Sequence, residues 1–572
     1  MEFQEAIEKI KSGIEEIDQH ILLPYLSSEK ATERFYYNFH LAQAFVEVEK
    51  FEQAKSFIER AWFLSRFSEE VLPLYILINK QLQDVSAIQQ AYKRLGMIAS
   101  KKGKIIDSIN YFNQSMYAYA QTLGIDKYNY DYDILDCIEN MAKSYRFYPK
   151  KRSLSSNTFK IKVAYLTYLA TVETSVFYRI NLTLAQFHDK SKFEIAFFIP
   201  RPESEFVNSN DIIGILEEHN CQVVLTPSSN YLSEEEALIW IAKKIYQFSP
   251  DILVTNAGLA DLRQYFIMSL TPASVIVNSL YAGPAQYVSP NADWSIASAI
   301  HPLLDSPCNT SLIGLELDLT EHKNIGSYDK KFFKIPDDSL VILSAGRPQK
   351  FQDIEFWKVI IDLINLHQDL YYVAIGLNQD QLPISLPKEI SSRFRILKWR
   401  EDYLKILGIA DIVIDTYPSG GGFTLVDAMA LGIPVITFAN DYMKLYDQVN
   451  WSLGDELVLI PDLIIERGNP QKVIEEISKL ISDTYSRHDT GQKCQEFIYN
   501  SRGHPERFVK SYEDIYKKII SGIVYQNDND WDKHILSTFN RGKLFIKYKI
   551  QRIIVKIKRR LKGIVQLMRD EC

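Results

Sequence analysis

Through residues 1 to about 150, apolar positions recur three and four apart in long stretches without Pro or Gly, a spacing that predicts amphipathic helices. Beyond residue 160 the texture changes to short β-branched or aromatic runs separated by helix-length polar segments. "KIKVAYLTYLA", "KFEIAFFIP", "CQVVLTPS", "DILVTNAG", "ASVIVNS" and "DWSIAS" predict one series of strands. "LVILSAG", "LYYVAIG", "RFRILKW", "DIVIDTYP", "IPVITF" and "ELVLI" predict a second from near residue 340. Strands apolar on both faces and alternating with helices belong to parallel sheets. The predicted fold class is therefore multidomain α plus α/β. A helical domain spans 1–150, a linker 151–160, one α/β domain 161–330, a second 331–515, and C-terminal helices with a basic tail 516–572. The basic, Ser-rich and unpatterned "YPKKRSLSSNTFK" (148–160) marks the linker.

Two helical windows look alike: "LAQAFVEVEKFEQAKSFIERA" from Leu41 and "LGMIASKKGKIIDSINYFNQS" from Leu95. Leu41, Ala42, Phe45, Ala54, Ile58 and Ala61 match the tetratricopeptide pattern, and Leu95, Gly96, Ala99, Ser108, Phe112 and Ser115 match it again. Small residues at these places let two antiparallel helices approach closely. The windows lie 54 residues apart, so the array is irregular, and a plain helical bundle is the competing reading.

At 572 residues the chain is too long for a single core. A hydrophobic share of 46% with 24% charged residues excludes a mainly disordered or fibrous chain. Cys137, Cys221, Cys308, Cys494 and Cys572 are scattered, with no metal spacing, and imply a reducing compartment. The charged, amphipathic N-terminus is not a secretory signal, and no apolar stretch reaches the roughly 18 residues a membrane span requires. The expected location is the cytoplasm. Charge is uneven: residues 541–572 hold eleven Lys/Arg against two acidic residues, and their +9 leaves −16 elsewhere. Wound as a helix, this tail would suit an anionic membrane surface, making the protein peripheral there; an acidic partner, nucleic acid or the chain's own acidic body are the other readings, with nucleic acid not expected.

Ligands of an open parallel sheet sit beyond the carboxyl ends of its strands. Arg347 and Lys350 follow one strand of the second series. Ser419 and the triplet Gly420, Gly421, Gly422 follow another, ahead of a helix expected to begin near Phe423 or Thr424. Glycines turn backbone N–H groups toward an anion, and a helix start adds partial positive charge, so a diphosphate suits this loop. Asp427 lies about one turn inside that helix, where a ribose diol is its natural partner. Diphosphate plus ribose means a nucleotide. Each feature alone has a structural explanation, since carboxylates favour helix N-termini without any ligand; their conjunction on one rim carries the reading.

"DTYPSGGGFTLVDAMALGIPV" (415–435) resembles the nucleotide-sugar segment of GT-B glycosyltransferases, in particular the family of O-GlcNAc transferases, SPINDLY proteins and HMW1C-like N-glucosyltransferases, glycosyltransferase family 41. The first α/β stretch resembles it too, with Arg263 and the Pro272–Ala273 pair, and the likeness spans most of residues 30 to 515. It implies a GT-B pair of Rossmann-like domains behind tetratricopeptide-like helices. Diphosphate contacts are implied for Gly422, the Phe423 backbone and Thr424, ribose binding for Asp427, leaving-group neutralisation for Lys350, and a base site at "ILKWREDY" (396–403) with Lys398 and Trp399. The implied donor is a UDP-sugar carrying GlcNAc or glucose, with a GDP-sugar as the other option, and the implied acceptor is a polypeptide gripped by the helical repeats.

Departures from the family pattern fall on the acceptor side, where family histidines are replaced near Glu173 and at Gly283, Pro284 and Ala285; His301 reads as a turn residue. "DYD" (131–133) and "DND" (528–530) read as solvated carboxylates rather than metal ligands. The expected chemistry is inverting, needs no metal or other cofactor, and rests on Lys350 and Arg347, with Glu173 or Asp261 as general base. A glycan or lipid-linked acceptor at the membrane surface, and a non-catalytic scaffold of the same fold, are the alternatives.

Overall fold

The computed structural model describes residues 3–12, 19–65, 69–123, 131–149, 160–167, 176–202, 204, 212–228, 230–256, 259, 261–280, 288–298, 308–440 and 452–521. The chain forms two compact units, Met1–Ser144 and Tyr145–Cys572.

The first unit is helical. Helices Ala31–Glu47 and Phe51–Leu64 make one hairpin, and Val85–Lys101 and Ile105–Met116 another. All the pattern positions from Leu41 to Ala61 and from Leu95 to Ser115 named above are buried. Gly96 shows why a small residue is required: a Cβ there would stand 2.4 Å from the Phe112 ring. Ser108 uses the same closeness to donate to the Gly96 carbonyl at 2.8 Å. Helix Leu72–Gln81 stands between the hairpins and accounts for their wide spacing. "DYD" is not a free carboxylate pair. Asp131 caps helix Tyr132–Ala142, and Lys93 pairs with Asp131 at 2.8 Å and with Asp133 at 2.6 Å.

The second unit holds two parallel sheets, each a doubly wound α/β layer. Strands β1 (Ile161–Leu166), β2 (Phe193–Pro202), β3 (Gln222–Thr226), β4 (Ile252–Thr255), β5 (Ile276–Leu280), β6 (Trp294–Ala297) and β7 (Asn309–Leu312) stand in the order β3-β2-β1-β4-β5-β6-β7. Strands β8 (Leu340–Ala345), β9 (Leu370–Ile375), β10 (Phe394–Leu397), β11 (Ile412–Ile414), β12 (Val435–Phe438) and β13 (Ile464–Ile465) stand as β10-β9-β8-β11-β12-β13. This pair of Rossmann-like domains is the GT-B architecture. Its central strands are buried on both faces, as in "LVILSA" and "IVI", because helices cover both sides.

Two strands differ from expectation. β7 was not anticipated, because "NTSL" is a polar edge strand with little apolar signal. "ELVLI" is not a strand: Gly454–Val458 is a buried helical turn stopped by Leu459 at φ +50°, and the last strand is the two-residue β13. A short apolar run fits a buried helix as well as a strand.

Helix Pro505–Ile520 runs through the expected boundary at residue 515 and packs on the first sheet domain. The Tyr512 hydroxyl meets Ser279 at 2.6 Å, and that of Tyr516 meets Tyr165 at 3.0 Å. Glu513 accepts from the Asp189 amide at 2.7 Å and faces His188 Nδ1 at 3.2 Å. Burial pushes the His188 imidazole below its ordinary value, against the pull of Glu513.

Candidate functional site

In the second sheet the strand order reverses between β8 and β11, and the crevice at such a switch point is where this architecture places ligands. The segments after these two strands meet there. Lys350, in the 3₁₀ turn Pro348–Phe351 after β8, donates from Nζ to the Gly420 carbonyl, in the loop after β11, at 2.5 Å. Arg347 precedes the same turn and is exposed. At the end of β9, Gly376 has φ +106°, and a Cβ on it would lie 2.0 Å from the Gly346 oxygen. Only glycine lets these strand ends come this close.

The glycine loop is shaped from below by Asp415. This buried carboxylate accepts from the amides of Thr416 at 2.9 Å and Gly421 at 2.6 Å, and from Thr437 Oγ1 at 2.8 Å and Ser452 Oγ at 2.5 Å. Burial pushes its carboxyl up, while the Ser452 bond, the Gly421 amide and the Lys350 charge oppose that shift. A Cβ at Gly420 would stand 2.1 Å from Ser452 Oγ and 2.4 Å from Asp415 Oδ2; one at Gly421 would meet nothing nearer than 3.5 Å. Arg467 braces the loop from outside, donating to the Pro418 carbonyl at 2.5 Å and the Ala439 carbonyl at 2.8 Å. Helix Phe423–Ala430 then begins at Gly422 without a side-chain cap. The amides of Gly422, Phe423 and Thr424 make no hydrogen bond among the described residues. Three N–H groups at a helix start beside a lysine constitute an anion-binding geometry.

Asp427 lies in the same helix and is fully buried. Its carboxylate has three side-chain partners. Arg179 Nη1, from helix Val176–Phe187 of the first sheet domain, reaches Oδ1 at 2.8 Å and Oδ2 at 3.0 Å. His322 Nε2 lies 2.8 Å from Oδ1, and the Tyr403 hydroxyl bonds Oδ2. Burial acts to raise the Asp427 carboxyl, but the Arg179 charge and the His322 hydrogen bond outweigh it and hold it below the usual carboxylate range. The expected ribose diol would therefore have to take the place of one of these partners.

Lys398 and Trp399 follow β10 and are exposed. Trp399, 47% exposed, stacks on Tyr403 with ring centroids 5.4 Å apart, so an aromatic face for a base adjoins the Asp427 cluster. Asp261 caps helix Leu262–Ser269 through the Arg263 amide, its Oδ2 is buried without a hydrogen-bond partner among the described residues, and burial pushes its carboxyl up. Arg263 pairs with Glu234 at 2.5 Å. Glu173, residues 283–285, His301, residues 528–530 and the tail 541–572 lie outside the described residues.

Sequence reasoning assigned no role to Asp415, Arg179, His322 or Arg467, and named Tyr403 only as the end of the segment 396–403. Two of them left a signal. Asp415 ends an apolar strand directly before the turn, and Arg179 is the single charge in the otherwise uncharged helix "VFYRINLTLAQF". Among the described residues no cluster of three His, Cys, Asp or Glu is placed to hold a metal ion, and no helix is long and apolar enough to cross a membrane.

The two doubly wound sheet domains have the GT-B architecture. Residues 328–502, which contain the switch-point loops, match the family described as glycosyl transferases group 1, so the second α/β domain is a glycosyltransferase domain. No curated protein matches the chain in sequence. Among solved structures, a Thermobaculum terrenum O-GlcNAc transferase mutant is similar at 14% identity, covering 86% of this chain and 98% of its own, with a TM-score of 0.49. Anabaena HepE in complex with UDP and glucose is similar at 13% identity over 62% of this chain and 99% of its own, TM-score 0.45. A lipopolysaccharide outer core galactosyltransferase in its apo form is similar at 16% identity over 63% and 100%, TM-score 0.40.

Proposed function

We propose that this glycosyltransferase moves GlcNAc or glucose from a UDP-sugar to a polypeptide acceptor by metal-independent, inverting displacement. The observation that supports it most is the Lys350–Gly420 hydrogen bond at the switch point, next to the unbonded amides of Gly422, Phe423 and Thr424. In the transfer, an acceptor oxygen or nitrogen bonds to the anomeric carbon as the bond to the β-phosphate oxygen breaks. The diphosphate leaves with the electron pair, and the acceptor's proton passes to a base. In this reading Lys350, Arg347 and the helix-start amides stabilise the charge growing on the diphosphate. Trp399 and Lys398 offer the surface for the base of the nucleotide. Asp261, the N-cap of helix Leu262–Ser269, is the proposed proton acceptor.

The helical hairpins of the first unit are the proposed grip on the polypeptide. The +9 tail favours a second reading, in which a glycan or lipid-linked acceptor is modified by a cytoplasmic enzyme peripheral to an anionic membrane. The test is incubation of the enzyme with a panel of nucleotide sugars and cell lysate, followed by mass spectrometry of proteins, glycans and lipids. A hexose or N-acetylhexosamine added to protein from a UDP-sugar supports the proposal. Addition to lipid-linked material alone replaces it with the second reading.

A further inference from the structure

Helix Val176–Phe187 of the first sheet domain places a cation against the Phe423 ring, just after the glycine loop. Arg179 is 15% exposed, and its guanidinium carbon stands 5.6 Å from the centroid of the Phe423 ring, at the residue where the anion-binding helix begins. Its two terminal nitrogens differ. Nη1 is committed to both oxygens of Asp427, whereas Nη2 is buried and has no hydrogen-bond partner among the described residues. A buried guanidinium N–H left unbonded is costly, and an arginine fixed through one nitrogen is preorganised to present the other. Asp427 is itself held by His322 at Oδ1 and Tyr403 at Oδ2, so the pair cannot swing freely. The Phe423 ring that Arg179 covers belongs to the residue whose unbonded amide opens this helix.

We infer that Arg179 is a donor-binding residue that presents Nη2 to the diphosphate of the nucleotide sugar, and that Asp427 acts in this chain as the positioning residue that aims it. This deepens the proposed nucleotide-sugar site and rests on it. It also changes the expected role of Asp427, from binding ribose to holding an arginine of the opposite domain, so that the phosphate-binding cup is completed by both sheets. A lysine at 179 keeps a positive charge for Asp427 but has no second nitrogen to offer.

The test compares UDP, UMP and uridine, with GDP, GMP and guanosine in parallel, titrated into the full-length wild-type chain, Arg179→Lys, and the double variant Arg179→Gln/Asp427→Asn. The double variant removes both buried charges together, so that neither is left unpaired if the lysine variant fails to fold; melting curves establish folding. Wild-type binding of a diphosphate at least tenfold tighter than its nucleoside is expected, and its absence from both series overturns the site and this inference with it. Given that binding, Arg179→Lys and the double variant are each expected to lose about tenfold or more in diphosphate affinity, the scale of a charge-assisted hydrogen bond, with nucleoside affinity within about twofold of wild type. Unchanged diphosphate affinity in the folded variants overturns the role of Arg179 while leaving the site intact. An equal loss for nucleoside and diphosphate also overturns it, and returns Asp427 to the ribose.

Discussion

Lys350 and Gly420 leave adjacent strands, β8 and β11, and join by a 2.5 Å hydrogen bond across the point where the strand order of the second sheet reverses. The bond fixes a cationic side chain beside a helix start whose first amides are unbonded, which neither residue achieves alone. Substituting Lys350 by Ala removes the charge without opening the core, since the side chain is only half-buried. Sugar transfer at saturating donor is expected to fall by about 10²–10³, the range for losing one preorganised electrostatic donor, with little change in melting temperature. Steady-state kinetics with thermal melts checks this.

The glycines of the loop are not equivalent. Gly420→Ala forces a methyl group against Ser452 and Asp415, whereas Gly421→Ala meets only an ordinary contact. Gly420→Ala is expected to cost about 1–3 kcal/mol by overpacking and to abolish tight donor binding, while Gly421→Ala stays within about 1 kcal/mol of wild type. Denaturant unfolding of the two variants side by side measures the difference.

Trp399 presents an exposed ring stacked on Tyr403. Trp399→Ala is expected to weaken nucleotide binding by about 1–3 kcal/mol, the worth of one base–aromatic stack. Stability should change by less than about 0.5 kcal/mol, as for other surface positions. Calorimetric titration with UDP provides the first number and chemical unfolding the second.

Acid should loosen the junction of the two sheet domains. The Asp427 carboxyl is held below its ordinary value, so its ion pair with Arg179 contributes fully above the unfolded-chain value of about 3.9 and is lost as pH falls through the lower folded value. His188 acts in the same direction at higher pH: burial lowers its imidazole, so its contribution is complete above about 6.5 and declines as pH falls below that. Unfolding free energy of wild type and Asp427→Asn from pH 8 to 3 separates the two. The variant should be less stable by about 3–5 kcal/mol at neutral pH, because Arg179 is left buried without a counter-charge. The gap should narrow only at the acid end.

Much of the architecture was legible because βα units on a buried parallel sheet write long apolar runs at regular intervals, as "LVILSA" and "LYYVAI" do. Elements below that threshold were not: the polar edge strand β7 carries no such run, and the apolar "LVLI" does not distinguish a buried helical turn from a strand. At the site, Lys350 and the glycines were legible because they sit in sequence where strands end. Arg179 left only a lone charge in an uncharged helix and His322 no signal, since their meeting with Asp427 joins positions 248 and 105 residues apart. Asp415 lay in plain view beside the glycines, but its role depends on Thr437 and Ser452, which only the folded sheet brings beneath the loop.

The central claim, that the cup built by Lys350, the glycine loop and the start of helix Phe423–Ala430 seats a nucleoside diphosphate, is tested most directly by a crystal structure of the enzyme with UDP, and with GDP in parallel. The account predicts β-phosphate oxygens within hydrogen-bond distance of the Lys350 Nζ and the Gly422–Thr424 amides. A diphosphate bound elsewhere on the chain, with those amides untouched, contradicts it.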